Sequence, residues 1–185
     1  MEKTYKILKV VLLVLVFAAL LLGATRLYDG LSGKVQMDTL GAQEETAKQA
    51  APEFTVYDQE GNAYTLADFR GKPVILNFWA TWCGPCRMAN KEMVPMKESL
   101  KDKDIVYIYL TGETSPKATW ENMIPDIHGE HFYLTAEQWE YLGNEFGIDG
   151  VPTYLVVDPA GEIKYKSVGF PGVAKMKEEL LKVAK

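Results

Sequence analysis

The stretch PVILNFWATWCGPCRM, residues 73–88, holds both cysteines of a 185-residue chain, Cys83 and Cys86. Its first half, PVILNFWA, is an unbroken apolar run of strand length, the pattern of a strand buried on both faces. Its second half reads as a turn into a helix. Pro85 sits just inside the helix start, where its missing N–H costs nothing. Cys83 therefore faces the free amides and positive dipole end of a helix N-terminus. Those features favour a thiolate over a thiol, so Cys83 is expected to be exposed with a lowered pKa. Cys86 lies a turn further in and is expected to be shielded. Such a pair can attack and resolve: Cys83 attacks a substrate disulfide, and Cys86 then breaks the mixed disulfide.

Two other uses of the cysteines compete with this one. As a static clamp, a C-x-x-C loop is so small that closing it restrains little of the unfolded chain. As half of a zinc or copper site, the pair needs two more ligands. The only histidines, His128 and His131, are spaced i to i+3 and lie far downstream, a spacing that fits no zinc finger. Beside Gly129 they read as a solvated loop, and no metal site is expected.

Outward from the cysteines, the chain alternates strand and helix patterns. EFTVYDQEGNAYTL alternates about a Gly61-Asn62 turn and predicts a hairpin. DIVYIYLT is a second buried strand. Residues 86–100 have helical spacing, interrupted by Pro95, and residues 120–124 form a short helix. HFYLT is a short strand. TAEQWEYLGNEFG opens with Thr135 and Gln138 at capping-box spacing and ends at Gly147, a helix. PTYLVVD and EIKYKSVG are strands joined by a turn at Pro159–Gly161. The closing helix carries Val173, Met176, Leu180 and Val183 on one face. Pro152 stands at the start of a strand, where no ladder N–H is needed, and a cis Val151–Pro152 bond there would be a tight, fixed feature. The order β-β-β-α-β-α-β-α-β-β-α describes an α/β sandwich with a central mixed sheet.

The N-terminal residues stand apart. Lys3, Lys6 and Lys9 precede an unbroken apolar run from Val10 to Leu22, and Arg26 follows. Residues 1–26 read as a membrane anchor or a signal peptide. Residues 7–24 are just long enough to span if Lys9 snorkels. No A-x-A cleavage site and no lipid-accepting cysteine follows, which favours the anchor. The lysine excess keeps the N-terminus in the cytoplasm and exports the rest. Residues 27–51 are polar and aperiodic, a linker reaching about 25–30 Å. Residues 52–185 form the folded domain. Six of the 20 basic and five of the 25 acidic residues precede Pro52, which leaves the domain at −6. That charge argues against nucleic-acid binding. Two cysteines are too few for a disulfide scaffold, and an exported domain lives where disulfides form.

WCGPC after an apolar strand, with GVPTYLVVD later in the chain, resembles the thioredoxin superfamily. The N-terminal hairpin, the extra segment from Trp120 to Gly147 and the exported anchor resemble, within it, the TlpA/ResA-like membrane-anchored thiol–disulfide oxidoreductases. The resemblance implies a thioredoxin-like fold with an N-terminal hairpin and a central insertion. It implies Cys83 as nucleophile and Cys86 as resolving thiol. Pro152 would be a cis-proline opposite them, with the Val151 backbone offered to an extended substrate. Trp82, Gly84 and Pro85 would complete the substrate surface. No cofactor is implied beyond the redox-active Cys83–Cys86 disulfide. The implied partners are oxidised exported proteins such as apocytochrome c, the membrane through the N-terminal segment, and a membrane thiol electron donor of the DsbD or CcdA type.

The chain departs from these relatives at three positions. Asn77 stands where thioredoxins carry a buried Asp, although Asn is usual in the ResA-like subfamily; Ala89 stands where ResA-like members carry a Glu; and the helix proline is displaced to Pro95. Glu92 reads as a solvated helix residue. These departures leave proton handling open. The Gly-Pro dipeptide resembles reducing thioredoxins, at about −270 mV, rather than oxidants at about −120 mV, a gap of about 7 kcal/mol. The leading reading is an exported disulfide reductase. A thiol oxidase or isomerase on the same fold is the alternative. A copper-handling module is a weaker one. So is a peroxidase, which would need Thr and Pro where Ala80 and Leu76 stand.

Overall fold

The computed structural model describes residues 49–184. The segment read as an anchor, residues 1–26, and most of the linker lie outside the described residues. No helix among the described residues is long and apolar enough to cross a membrane.

The chain enters as a two-residue strand β1 (Gln49–Ala50), then forms a hairpin of β2 (Thr55–Tyr57) and β3 (Ala63–Thr65). Asp58 closes the hairpin loop by accepting from the backbone N–H of Glu60 and Asn62, while Gly61 takes the positive φ the turn requires. Next come β4 (Val74–Phe78), helix α1 (Gly84–Ser99), β5 (Val106–Gly112) and α2 (Lys117–Met123). They are followed by β6 (Glu130–Leu134), α3 (Ala136–Phe146), β7 (Thr153–Val157), β8 (Glu162–Val168) and α4 (Val173–Val183). The main sheet runs β1-β8-β7-β4-β5-β6. β4, β5 and β6 are parallel, and β7, β8 and β1 join antiparallel. This is the expected α/β sandwich about a mixed sheet.

β4 lies at the centre with every residue buried. Its alternate side chains feed two cores. Val74, Leu76 and Phe78 pack toward α3 and the hairpin with Phe132, Leu142 and Phe146. Ile75 and Trp79 pack toward α1 and α4 with Met93, Met176 and Leu180. Burial on both faces explains why the strand reads as a continuous apolar run.

Four expectations change in detail. Gln49 and Ala50, read as linker, pair with β8, and Ala51 is buried, so the domain begins before Pro52. α1 runs through Pro95 without ending; it forgoes one backbone hydrogen bond there and is held in the core on either side of the proline by the buried Met93 and Met96. The short helix expected at residues 120–124 begins earlier, at Lys117, and continues as a 3-10 turn over Ile124–Asp126. His131 does not lie in a solvated loop. It sits in β6 with its ring stacked on Tyr109 at 4.8 Å, while His128 stays exposed.

Candidate active site

Cys83 is the N-cap residue of α1, at the carboxyl end of the central strand. Its Sγ accepts from the Cys86 backbone N–H at 3.1 Å, so one orphan amide of the helix start points at that sulfur. The first turn carries no acidic side chain. Cys83 and Cys86 are joined as a disulfide. Cys86 is wholly covered (0% exposed), and Cys83, expected in the open, retains only 4%.

The cover comes from the loop before β7. The Val151–Pro152 bond is cis, and the Val151 carbonyl oxygen lies 3.7 Å from Cys83 Sγ. The disulfide has no S–H to donate, so this is a contact and not a hydrogen bond. The loop is held from both sides: Thr153 Oγ1 donates to the Gly150 carbonyl at 2.6 Å, and Gly169 N–H donates to the Pro152 carbonyl at 2.7 Å. Trp82 projects from the other rim, 61% exposed. Gly84 and Pro85 form the first turn. A groove of about 580 Å³ runs from Gly84 along α1, lined by Arg87, Met88, Val94 and Met123. The structure thus brings Trp82, Cys83, Gly84, Pro85, Cys86, Val151 and Pro152 to one end of the sheet.

Behind the cysteine loop lies a buried hydroxyl network that sequence reasoning missed. Thr81 N–H donates to Ser115 Oγ at 3.0 Å. Thr111 Oγ1 donates to the Trp79 carbonyl at 2.9 Å and lies 3.1 Å from Ser115 Oγ. Tyr133 donates to the Ser115 carbonyl at 2.6 Å. These bonds fix the loop that carries Trp82 and Cys83 against the end of β5.

Beneath α1, Asn77 donates through Nδ2 to Oδ1 of Asn90 at 3.3 Å. Asn90 was also missed, although the signal existed: a polar residue on the stripe Cys86, Ala89, Asn90, Met93, Met96 that buries toward the sheet. Ala89 is buried, and Glu92 is exposed. Among the described residues, no three His, Cys, Asp or Glu side chains come together as a metal-holding group. Ala80 and Leu76, where a peroxidase would need Thr and Pro, are core residues.

The Redoxin family model matches residues 46–180. The thiol-disulfide oxidoreductase ResA of Geobacillus thermodenitrificans is 34% identical over 116 residues, covering 62% of this chain and 64% of the relative, a little under two thirds of its length. ResA of Bacillus cereus is 28% identical over 183 residues, covering 99% of each chain. Among solved structures, the thioredoxin domain of a thiol-disulfide oxidoreductase from Bacteroides vulgatus superposes with a TM-score of 0.65 at 24% identity, covering 75% of this chain and 97% of that one. A thioredoxin-family thiol:disulfide interchange protein from Chlorobium tepidum gives 0.65 at 24% identity, over 75% and 98%.

Proposed function

The chain belongs to the Redoxin family and is a ResA-like thiol–disulfide oxidoreductase of the thioredoxin superfamily, and from that premise we propose that it reduces disulfides of exported proteins through Cys83 and Cys86. The observation that carries the proposal is the Cys86 N–H directed at Cys83 Sγ on a helix start.

In the dithiol form, the Cys83 thiolate attacks one sulfur of a substrate disulfide. The Cys83–substrate S–S bond forms as the substrate S–S bond breaks, and the leaving thiolate takes a proton from water. Cys86, deprotonated, then attacks Cys83 Sγ. The Cys83–Cys86 bond forms, the mixed disulfide breaks, and the second substrate thiolate leaves. The substrate gains two electrons and the pair loses two. The Val151 backbone, which makes no backbone hydrogen bond among the described residues, is free to pair with an extended substrate strand beside the sulfurs. Trp82 offers an exposed aromatic face to the same strand.

In this reading residues 1–26 anchor the domain on the outer side of the cytoplasmic membrane. A thiol carrier of the DsbD or CcdA type returns electrons to the pair, and apocytochrome c is one substrate class. The test is the reduction potential of the Cys83–Cys86 couple, by equilibration with a thiol buffer and trapping. A value at or below about −250 mV supports a reductant. A value near about −120 mV makes the protein an oxidant and overturns the reductive direction.

A further inference from the structure

The buried face under α1 carries a polar row that thiol exchange, as derived from the two sulfurs, leaves unused. In the sheet register Asn77 of β4 stands between Tyr109 of β5 and Tyr154 of β7. The three side chains share the face that α1 covers. Asn90 comes down from α1 onto this row and accepts from Asn77. Asn77 is 1% exposed and Asn90 7%, yet each keeps an unmatched atom, Asn77 Oδ1 and Asn90 Nδ2. A buried donor left unmade is costly, and such a group calls for an explanation in function.

The position of Asn90 supplies one. It follows Cys86 by four residues on the same buried stripe. Residues at i and i+4 are neighbours on a helix, and helical side chains lean toward the N-terminus. Asn90 therefore leans toward Cys86. In the disulfide, Cys86 Sγ is uncharged and a weak acceptor. When the disulfide opens, Cys86 must pass through a thiolate before it can resolve a substrate, and a thiolate is a strong acceptor.

We propose that Asn90, oriented by Asn77, donates its spare Nδ2–H to the Cys86 thiolate, so that two neutral amides hold the resolving sulfur ready where no carboxylate is present. The inference rests on the reading of Cys83 as attacking and Cys86 as resolving thiol. The proton of Cys86 leaves to water or hydroxide. Its electron pair forms the bond to Cys83 Sγ, and the substrate sulfur departs with the pair of the broken bond. Asn90 donates a hydrogen bond throughout and transfers no proton. Asn77 is a positioning residue: its donation to Oδ1 fixes which end of the Asn90 amide faces the helix start.

The other titratable groups on this face are poor bases for the task. Tyr154 from β7 and Tyr109 from β5 are held protonated by burial. Glu92 on α1 is exposed and raises Tyr154 further. Lys97 on α1 is engaged with Tyr109. From α4 the core contacts are the apolar Met176, Leu180 and Val183, its buried Glu179 is paired with Lys175 and Lys182, and the exposed Asp126 lines the outer groove beside Asn90.

The test follows the second, resolving phase of the reaction of reduced protein with dithiobis(nitrobenzoate), across pH. Asn90→Leu removes the donor at similar volume. The resolving phase slows about tenfold at neutral pH, and its pH midpoint rises about one unit. Asn77→Leu moves both in the same direction by less, and Asn90→Gln restores part of the loss. Met93→Leu, on the same buried stripe, moves neither. An Asn90→Leu profile that superposes on the wild type overturns the proposal. Should Asn90→Leu not fold, the wild type decides by NMR. The Asn90 side-chain amide signal shifts when the disulfide is reduced and titrates together with Cys86, and a signal indifferent to both overturns the proposal. If wild-type protein shows no resolving phase at all, it is the attack-and-resolve reading that fails.

Discussion

Two helices of this domain open with the same spacing and different atoms. α3 opens on Thr135-x-x-Gln138 and α1 on Cys83-x-x-Cys86. At α3, Thr135 Oγ1 accepts from the Gln138 N–H at 3.2 Å, and Gln138 Oε1 accepts from the Thr135 N–H at 3.0 Å. Two orphan donors are satisfied reciprocally, and the helix start is finished. At α1, Cys83 Sγ accepts from the Cys86 N–H, but the third helical residue returns a second sulfur instead of an acceptor oxygen. In the proposed reaction the positive end of that helix is left for a thiolate that comes and goes. On the proposed reading one cap stabilises the chain, and the other uses the same geometry to stabilise a chemical state.

The sharpest way to break this comparison is Cys83→Ser. Serine is a good N-cap, and the C-x-x-C loop it removes is too small to have restrained the unfolded chain much. Melting is therefore expected to stay close to wild type, while turnover of a disulfide peptide falls by about a thousandfold or more, as for loss of a nucleophile. Retained turnover would show that α1 opens on an ordinary cap and that the chemistry lies elsewhere.

The far half of α1 supplies the next largest effect. Lys97 Nζ donates to the Tyr109 hydroxyl at 2.6 Å and the His128 carbonyl at 2.5 Å, and lies 4.7 Å over both the Tyr107 and Tyr109 rings. Burial nonetheless pushes it from 10.5 down to about 8. Below that pH both folded and unfolded chains hold the proton. Between about 8 and 10.5 the unfolded chain keeps it and the folded chain has released it, so stability rises with pH. Above 10 the unfolded tyrosines ionise while the folded Tyr107, pushed up to about 12, keeps its proton, so stability falls with pH until the folded phenol itself ionises. The unfolded phenol binds fewer protons than the folded one in that range, so the tyrosine contribution lowers stability as the lysine contribution levels off. Urea midpoints measured from neutral to alkaline pH are expected to show a maximum of on the order of 2 kcal/mol above the neutral value. Lys97→Met erases the rising limb and keeps the falling one. A flat profile in the wild type would mean that the cation is as well solvated as a surface lysine.

The sulfur site was legible because its signals are local. The apolar strand, the Pro85 at the helix start and the pair spacing each constrain a few adjacent residues, and the structure brings Trp82, Val151 and Pro152 to the same end. The capping box of α3 and the turns at Gly61-Asn62 and Pro159–Gly161 were legible for the same reason. What was not legible depends on pairing across the sheet. That Asn77 meets Asn90, that Thr81 hangs from Ser115, and that His131 stacks on Tyr109 follow from the register of β4, β5 and β6. No spacing in one strand reveals that register. The low exposure of Cys83 is of the same kind, since its cover comes from a loop 68 residues away in sequence.

Thr135→Ala gives the smallest effect and the cleanest control. It removes the side-chain half of the α3 box and costs about 1 kcal/mol. Gln138 has a second anchor, since its Nε2 donates to the Thr55 carbonyl of β2 at 3.2 Å, so the helix stays docked on the hairpin. Phe146 and Leu142 then keep their place in the core on the side of the sheet away from α1. Melting is expected to fall by a few degrees, with no change in the reduction potential or in the pH profile of resolution. A shift in either would mean that the two faces of the sheet are coupled through β4. The sulfur cap would then owe part of its behaviour to the oxygen cap across the sheet, and the division between a stabilising and a chemical helix start would no longer hold.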